Sequence, residues 1–197
     1  MKEFWNERYS QKEYVYGIKP NEFFRKTLES LTVGRILLPA EGEGRNAVFA
    51  AKLGWDVTAF DFSDSAMKKA IALAEKENVE INYSINNYNN FYAKENHFDC
   101  IASIFVHPPK GLRKQFHKKL LTFLKPGGKL ILEGFSKNQI NYNSGGPKDI
   151  DFLFSKEELL EDFKDFRKIE LDENEAELNE GLFHKGIAST IQLLIIK

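Results

Sequence analysis

From residue 35 to residue 134, short apolar or β-branched runs alternate with segments whose apolar positions recur at helical spacing. That alternation predicts a parallel sheet with crossover helices. Five runs have strand length: Arg35 to Pro39, Trp55 to Asp61, Ile81 to Ile85, Phe98 to Val106 and Lys129 to Gly134. Between them, Ser63 is suited to N-cap a helix that runs to about Glu77, with Ala66, Ala70, Leu73 and Ala74 along one face. Leu112, Phe116, Leu120, Phe123 and Leu124 mark another helix, which Lys125-Pro126-Gly127-Gly128 should stop.

Beyond Gly134 the period is lost. Ser136 to Asp151 is rich in Asn and Gly, contains a Pro and reads as a long loop, of the kind that more often forms a lid than a linker. Ser155, with Glu158 three residues later, sets a capping box for a short helix to about Phe163. Asp165 to Asp172, where Phe166, Lys168 and Glu170 alternate with Arg167, Ile169 and Leu171, and Ile187 to Ile196 read as two more strands. With no helix between them they must run antiparallel, and the acidic DENEAELNEG is assigned towards their turn. At the start of the chain, aromatic-rich segments around Trp5 and Phe23-Phe24 flank EYVYGIKP. The expected organisation is one α/β domain over 1–197, with 1–30 as a helical cap on a core of 31–197.

Charge and cysteine content narrow the class. Lys and Arg number 28 against 29 Asp and Glu, a net charge of −1, which provides no broad field for nucleic acid or anionic membrane. The basic helix face of Lys110, Arg113, Lys114, Lys118 and Lys119, with His117 among them, is therefore read as solvated surface. A lone Cys100, taken as core, forms no internal disulfide, and MKEFWNERYS lacks the apolar stretch of a signal peptide. No apolar run approaches the ~20 residues of a membrane span. A reducing, cytoplasmic setting is expected, and the four scattered His show no metal-ligand spacing, so no metal is expected.

In open parallel sheets, ligands bind beyond the carboxyl ends of the strands. There the first strand leads into Pro39-Ala40-Glu41-Gly42-Glu43-Gly44, where two glycines let backbone approach a ligand above a helix N-terminus. Glu41 and Glu43 would repel a pyrophosphate, so an uncharged or cationic ligand suits the loop better. Asp61, about 20 residues past the loop start, has the placement of a carboxylate that accepts both hydroxyls of an adenosine ribose. The alternative is that it only favours the positive end of the next helix.

These residues, in GEGRNAVFAAKLGWDVTAFDFS, resemble class I S-adenosylmethionine-dependent methyltransferases, and specifically the tellurite-resistance and thiopurine methyltransferase-like group of small-molecule enzymes. WNERYS, EYVYGIKPNEFF, LKPGGKLILEGFS and HKGIASTIQLLIIK extend the resemblance over most of the chain. It implies a Rossmann-like, seven-stranded, mostly parallel sheet with an antiparallel terminal strand and helices on both faces. It also implies S-adenosyl-L-methionine as cofactor. On that resemblance Gly42 and Gly44 form the glycine loop, Asp61 holds the ribose, Phe62 lies against the adenine, and Asn87 with Tyr88 reaches its amino group. Ala40, Glu41 and Ile104 complete the cofactor side, with Glu41 or Glu43 at the methionine amino group and Arg8 at its carboxylate. Two positions depart from the pattern: Leu38 stands where an acid usually ends the first strand, and Ala40 where the first glycine is expected.

On the acceptor side, His107 and His184 are the base candidates, weighed against solvated or backbone-bonded loop histidines. Tyr16, Gln139 and Tyr142, with the two histidines, are expected to contact substrate. The expected function is methyl transfer to a small molecule, with a soft nucleophile such as a thiol or a tellurium or selenium oxyanion favoured. The partners expected are that small molecule, neither nucleic acid nor membrane, and at most a second copy of the chain (monomer or homodimer). The alternatives are a cofactor-binding sensor or partner protein without turnover, motivated by Leu38 and Ala40, and a nicotinamide-dependent dehydrogenase.

Overall fold

The computed structural model describes residues 2–166 and 168–197, so Arg167 in the alternation noted above lies outside the described residues. The five early strands form as β1 (Arg35–Pro39), β2 (Asp56–Asp61), β3 (Asn82–Ile85), β4 (Phe98–Ile104) and β5 (Leu124–Phe135), followed by β6 (Lys168–Glu180) and β7 (His184–Ile196). They make one seven-stranded sheet in the order β3-β2-β1-β4-β5-β7-β6. β1 to β5 pair in parallel, while β7 runs antiparallel to β5 and to β6. This is the expected Rossmann-like α/β fold. The chain order reverses between β1 and β4, which opens a crevice at their carboxyl ends.

The helices are α1 (Lys2–Tyr9), α2 (Glu22–Glu29), α3 (Arg45–Lys52), α4 (Asp64–Lys76), α5 (Lys110–Phe123) and α6 (Lys156–Asp162). Ser63 and Ser155 cap α4 and α6 through Ala66 N–H and Glu158 N–H. Alternation along the strands gives the sheet two buried faces. Leu37, Ile101, Leu130 and Leu132 pack with Phe116 and Leu120 of α5 and Leu159 of α6. Ile36, Leu38, Cys100 and Ile131 pack with Phe24 of α2 and Ala47 of α3.

Four local expectations are corrected. Leu112 is 38% exposed and lies off the apolar face of α5. Arg113 and His117 are buried there, because α6 supplies Glu158 at 3.2 Å and Asp162 at 3.6 Å to Arg113, and Asp162 at 2.9 Å to His117. That face is therefore an ion-paired helix contact. Ser136 to Asp151 is not structureless, since it contains 3-10 turns at Lys137–Asn141 and Ile150–Phe152. The acidic stretch is strand: β6 pairs with β7 without interruption from Lys168–Ile196 to Glu180–His184. Only Gly181, Leu182 and Phe183 turn the hairpin. Outward acids on this edge strand discourage the addition of another strand.

Candidate functional site

A cavity of about 750 Å³ opens at the carboxyl ends of β1, β2 and β4. Its floor comes from the loops after those strands, its roof from α1, and its far wall from β5, the 145–152 segment and the hairpin tip.

At the floor, each of two acids, Asp61 buried and Glu41 half-buried, is tied to backbone. Glu41 Oε1 accepts the Asn46 and Ala47 N–H groups, both at 2.8 Å, and so occupies the N-terminus of α3 itself. Asp61 accepts Ser63 N–H at 2.9 Å and Gly42 N–H at 3.2 Å. Neither forms an ion pair among the described residues. Burial pushes Glu41 up to about 7 against the pull of its N–H donors and Arg45. Burial likewise lifts Asp61 to about 6. A carboxylate has about four acceptor positions, so each acid keeps capacity for a ligand.

The glycines have another role than the one expected. Neither Gly42 nor Gly44 lines the cavity. Gly42 has φ +67 and a side chain there would meet the Tyr9 hydroxyl at 2.9 Å; Gly44 has φ +89 and would strike the Ala70 Cβ at 2.7 Å. They serve a left-handed loop and close packing against α1 and α4. Ala40 has φ +48, so the loop keeps its left-handed start without a glycine, at some conformational cost. Glu43 is directed away from the cavity, accepting Val15 N–H at 2.7 Å and pairing with Lys69 at 2.5 Å. It fastens the N-terminal segment to α4.

The other expected cofactor residues divide. Arg8, Ala40, Phe62, Tyr88 and Ile104 line the cavity together with Glu41 and Asp61. Asn87 is not among the lining residues; its side-chain oxygen accepts Asn89 and Asn90 N–H groups in a local turn.

The far wall is aromatic. Phe105, Phe135, Phe152 and Phe183 face the cavity with Tyr16, His107 and His184. Phe105 has φ +53, an unusual conformation for a bulky residue. It is held there by its N–H on the Glu133 carbonyl at 2.6 Å and brings its ring to 4.6 Å from that of His184.

His107, expected as a base candidate, has both ring nitrogens bonded to backbone. Its Nδ1 donates to the Phe152 carbonyl at 2.8 Å, and its Nε2 accepts Phe135 N–H at 3.2 Å. Both nitrogens are used, and burial depresses the ring to about 4. Two expected substrate contacts also lie off the cavity. Gln139 bonds Ser144, Gly145 and Ser189 N–H, and so pins the 136–146 segment to β7. The Tyr142 hydroxyl is bonded to Glu175 on the exposed side of β6.

His184 is different. It lines the cavity, is 6% exposed, and its Nδ1 lies 3.3 Å from Glu180 Oε2 across the hairpin turn. Glu180 in turn accepts Arg45 Nη2 at 2.9 Å and Asn21 Nδ2 at 3.2 Å. Burial opposes ionisation of Glu180, but the hydrogen bond with His184 and the charge of Arg45 hold it well below the usual carboxylate range. Asn21 also donates to Glu133 at 2.6 Å. Sequence reading did not assign Arg45, Asn21 or Glu180, because the four parts of this network come from the N-terminal segment, α3, β5 and the hairpin.

Residues 36–128 match the family described as a methyltransferase domain. Over 141 residues, 70% of this chain, the sequence is 29% identical to a probable S-adenosyl-L-methionine-dependent methyltransferase, TehB, of Haemophilus influenzae; the chain spans about half, 48%, of that protein's length. The crystal structure of TehB from Haemophilus influenzae superposes with a TM-score of 0.75 at 21% identity, over 100% of this chain and 66% of that one. A structure from work on the conversion of a disulfide bond into a thioacetal group during echinomycin biosynthesis superposes with a TM-score of 0.82 at 16% identity, over 100% of this chain and 91% of that one. At such identities the two structures establish the shared fold.

Proposed function

We propose that the chain, whose residues 36–128 match a methyltransferase domain, is a class I S-adenosylmethionine-dependent methyltransferase and transfers a methyl group from S-adenosylmethionine to a small-molecule acceptor bound against the aromatic wall. The observation that carries this reading is the carboxylate of Glu41 on the first N–H groups of α3. A dinucleotide would need that helix terminus for its pyrophosphate, and the chain has filled it with its own anion. A cofactor with a cationic sulfonium, an ammonium and a ribose, and no phosphate, is compatible with such a floor. Asp61 would accept the ribose hydroxyls, Phe62 and Tyr88 would flank the base, and Glu41 would accept the methionine ammonium. Arg8, which lines the cavity, would meet its carboxylate.

When bound, the cofactor supplies a methyl carbon on a sulfur that leaves without protonation. The chain then has to align the acceptor and keep water out. α1 does the second. Asn6 of α1 accepts the Ser63 hydroxyl at 2.6 Å and Lys2 reaches Asp64 at 2.7 Å, so that Trp5 and Tyr9, their rings stacked at 5.3 Å, cover the cavity. The acceptor class favoured from sequence is a soft nucleophile, a thiol or a tellurium or selenium oxyanion.

The direct test is incubation with S-adenosylmethionine labelled in its methyl group and a panel of small thiols, phenols and chalcogen oxyanions. Label recovered in a methylated small molecule is the expected result. Label that stays on the cofactor through the whole panel would overturn the reading.

A further inference from the structure

The acceptor wall sorts the soft nucleophiles named above. An oxyanion needs free cations or N–H donors, and of the three cations lining the cavity one is ion-paired, one is assigned above to the cofactor carboxylate and the third, Lys148, is exposed. Arg45 is paired with Glu180. Arg8 donates to the Tyr16 hydroxyl at 3.1 Å, and its guanidinium lies 4.5 Å from the ring centres of both Phe4 and Phe183. Lys148 donates to the Tyr142 carbonyl at 3.1 Å. The His107 ring has its N–H on the Phe152 carbonyl. What remains facing the space is mostly aromatic carbon, which favours an apolar body.

Of the four ring nitrogens of His107 and His184, one remains unbonded among the described residues. With Nδ1 of His184 bonded to Glu180, the ring's lone pair lies on Nε2, and Nε2 has no protein partner among the described residues. The ring is held by Tyr16 at 4.4 Å, Phe105 at 4.6 Å and Phe135 at 5.1 Å. A carboxylate that fixes the tautomer of a cavity-lining imidazole whose other nitrogen has no protein partner is an arrangement for accepting a proton.

Resting on the methyltransferase reading, we propose that the acceptor is an uncharged molecule with an apolar body and one S–H or O–H group, that His184 Nε2 removes its proton, and that Glu180 is the positioning residue. The acceptor's proton passes to Nε2, and the electron pair it leaves forms the bond to the methyl carbon. The carbon–sulfur bond of the donor breaks with its pair on sulfur, which becomes a neutral thioether. The imidazolium, facing the Glu180 carboxylate, releases the proton to water as product leaves. Oxyanions such as tellurite, which carry no apolar body for this wall, are rejected.

Burial keeps His184 below the ordinary histidine value, with Glu180 pulling upwards and Arg45 and Arg8 downwards. It is therefore neutral and able to accept at neutral pH. The groups facing it are Glu180 on its own hairpin, Arg45 on α3, Arg8 on α1, Tyr16 in the N-terminal segment and His107 after β4. Turnover should fall on the acid side as the ring protonates.

The test uses the full chain with 2-phenylethanethiol and 4-ethylphenol as apolar probes and tellurite and selenite as oxyanion probes. Methylation of at least one apolar probe and of neither oxyanion is expected. His184→Gln should lower kcat by roughly 10²-fold or more, while binding of S-adenosylhomocysteine stays within about twofold. Glu180→Gln should lower kcat by roughly tenfold and move the acid limb of its pH profile to lower pH, a shift that loss of packing alone does not produce. Oxyanion methylation equal to that of the apolar probes, no methylation of either apolar probe by a protein that binds S-adenosylhomocysteine, full activity of His184→Gln, or an unmoved acid limb in Glu180→Gln would each overturn the proposal. Failure of the unaltered chain to bind S-adenosylhomocysteine would instead overturn the methyltransferase reading on which it rests.

Discussion

Two ends of one cavity hold buried carboxylates in opposite ways. At the floor, Glu41 and Asp61 receive only N–H donors and burial raises both. At the hairpin, Glu180 is bonded by Arg45, Asn21 and His184 and is held ionised. An acid without a cationic partner in a buried site is costly unless a ligand completes it. An acid paired within the protein has its interactions filled and serves to orient its neighbours. On the proposed reading the floor would receive a donor-rich, cationic cofactor, while the hairpin fixes protein side chains.

The largest effect should come from breaking the paired end. Arg45→Ala leaves Glu180 buried beside a lost cation, a change that costs about 3–5 kcal/mol and should lower Tm by roughly 10 °C in thermal unfolding. A loss below about 1 kcal/mol would show that Glu180 is not dependent on Arg45. At the floor, Asp61→Ala should weaken S-adenosylhomocysteine binding by about 2–4 kcal/mol, through lost hydrogen bonds to a charged acceptor. Unchanged affinity in calorimetry would remove Asp61 from the site.

The pH dependence of binding separates the ends more finely. Asp61 at about 6 and Glu41 at about 7 gain protons as pH falls, and a protonated carboxyl is a poorer acceptor for hydroxyl or ammonium donors. Affinity for S-adenosylhomocysteine should therefore be full above about pH 8 and decline as pH falls through 7 and 6, by about tenfold or more at pH 5. A flat profile between pH 8 and pH 5 would mean that neither acid meets the ligand. Smallest is Ala40→Gly, which removes the left-handed strain at φ +48 and should stabilise by about 0.5–1 kcal/mol, about 2 °C in Tm. Destabilisation would show that the Ala40 methyl packs usefully at the floor.

The two ends also differ in how far they can be read from the chain. β1, α3 and β2 are contiguous, and their floor acids sit at strand ends that hydrophobic periodicity marks directly. Asp61 and Glu41 were accessible for that reason. The packing role of their loop glycines is not legible in the sequence, because only the fold brings Tyr9 and Ala70 against them. The hairpin end draws Asn21, Arg45, Glu133 and Glu180 from across the chain, and no local spacing encodes such a meeting. The acidic 172–180 stretch looked like a turn because acids are poor strand formers, yet pairing with β7 along its full length overrides that preference. His107 and His184 are alike in the sequence as loop histidines; the fold puts Nδ1 of one on a backbone carbonyl and of the other on the Glu180 carboxylate, and gives only the first a backbone partner at Nε2.

The central claim, that Glu41 has converted a phosphate-type helix terminus into a site for a cationic, phosphate-free cofactor, is tested most directly by calorimetric titration of the unaltered chain with S-adenosylhomocysteine and S-adenosylmethionine beside NAD. Micromolar binding of the first two and none of NAD is the predicted result. Preferential binding of NAD, or binding of none of the three, would contradict it.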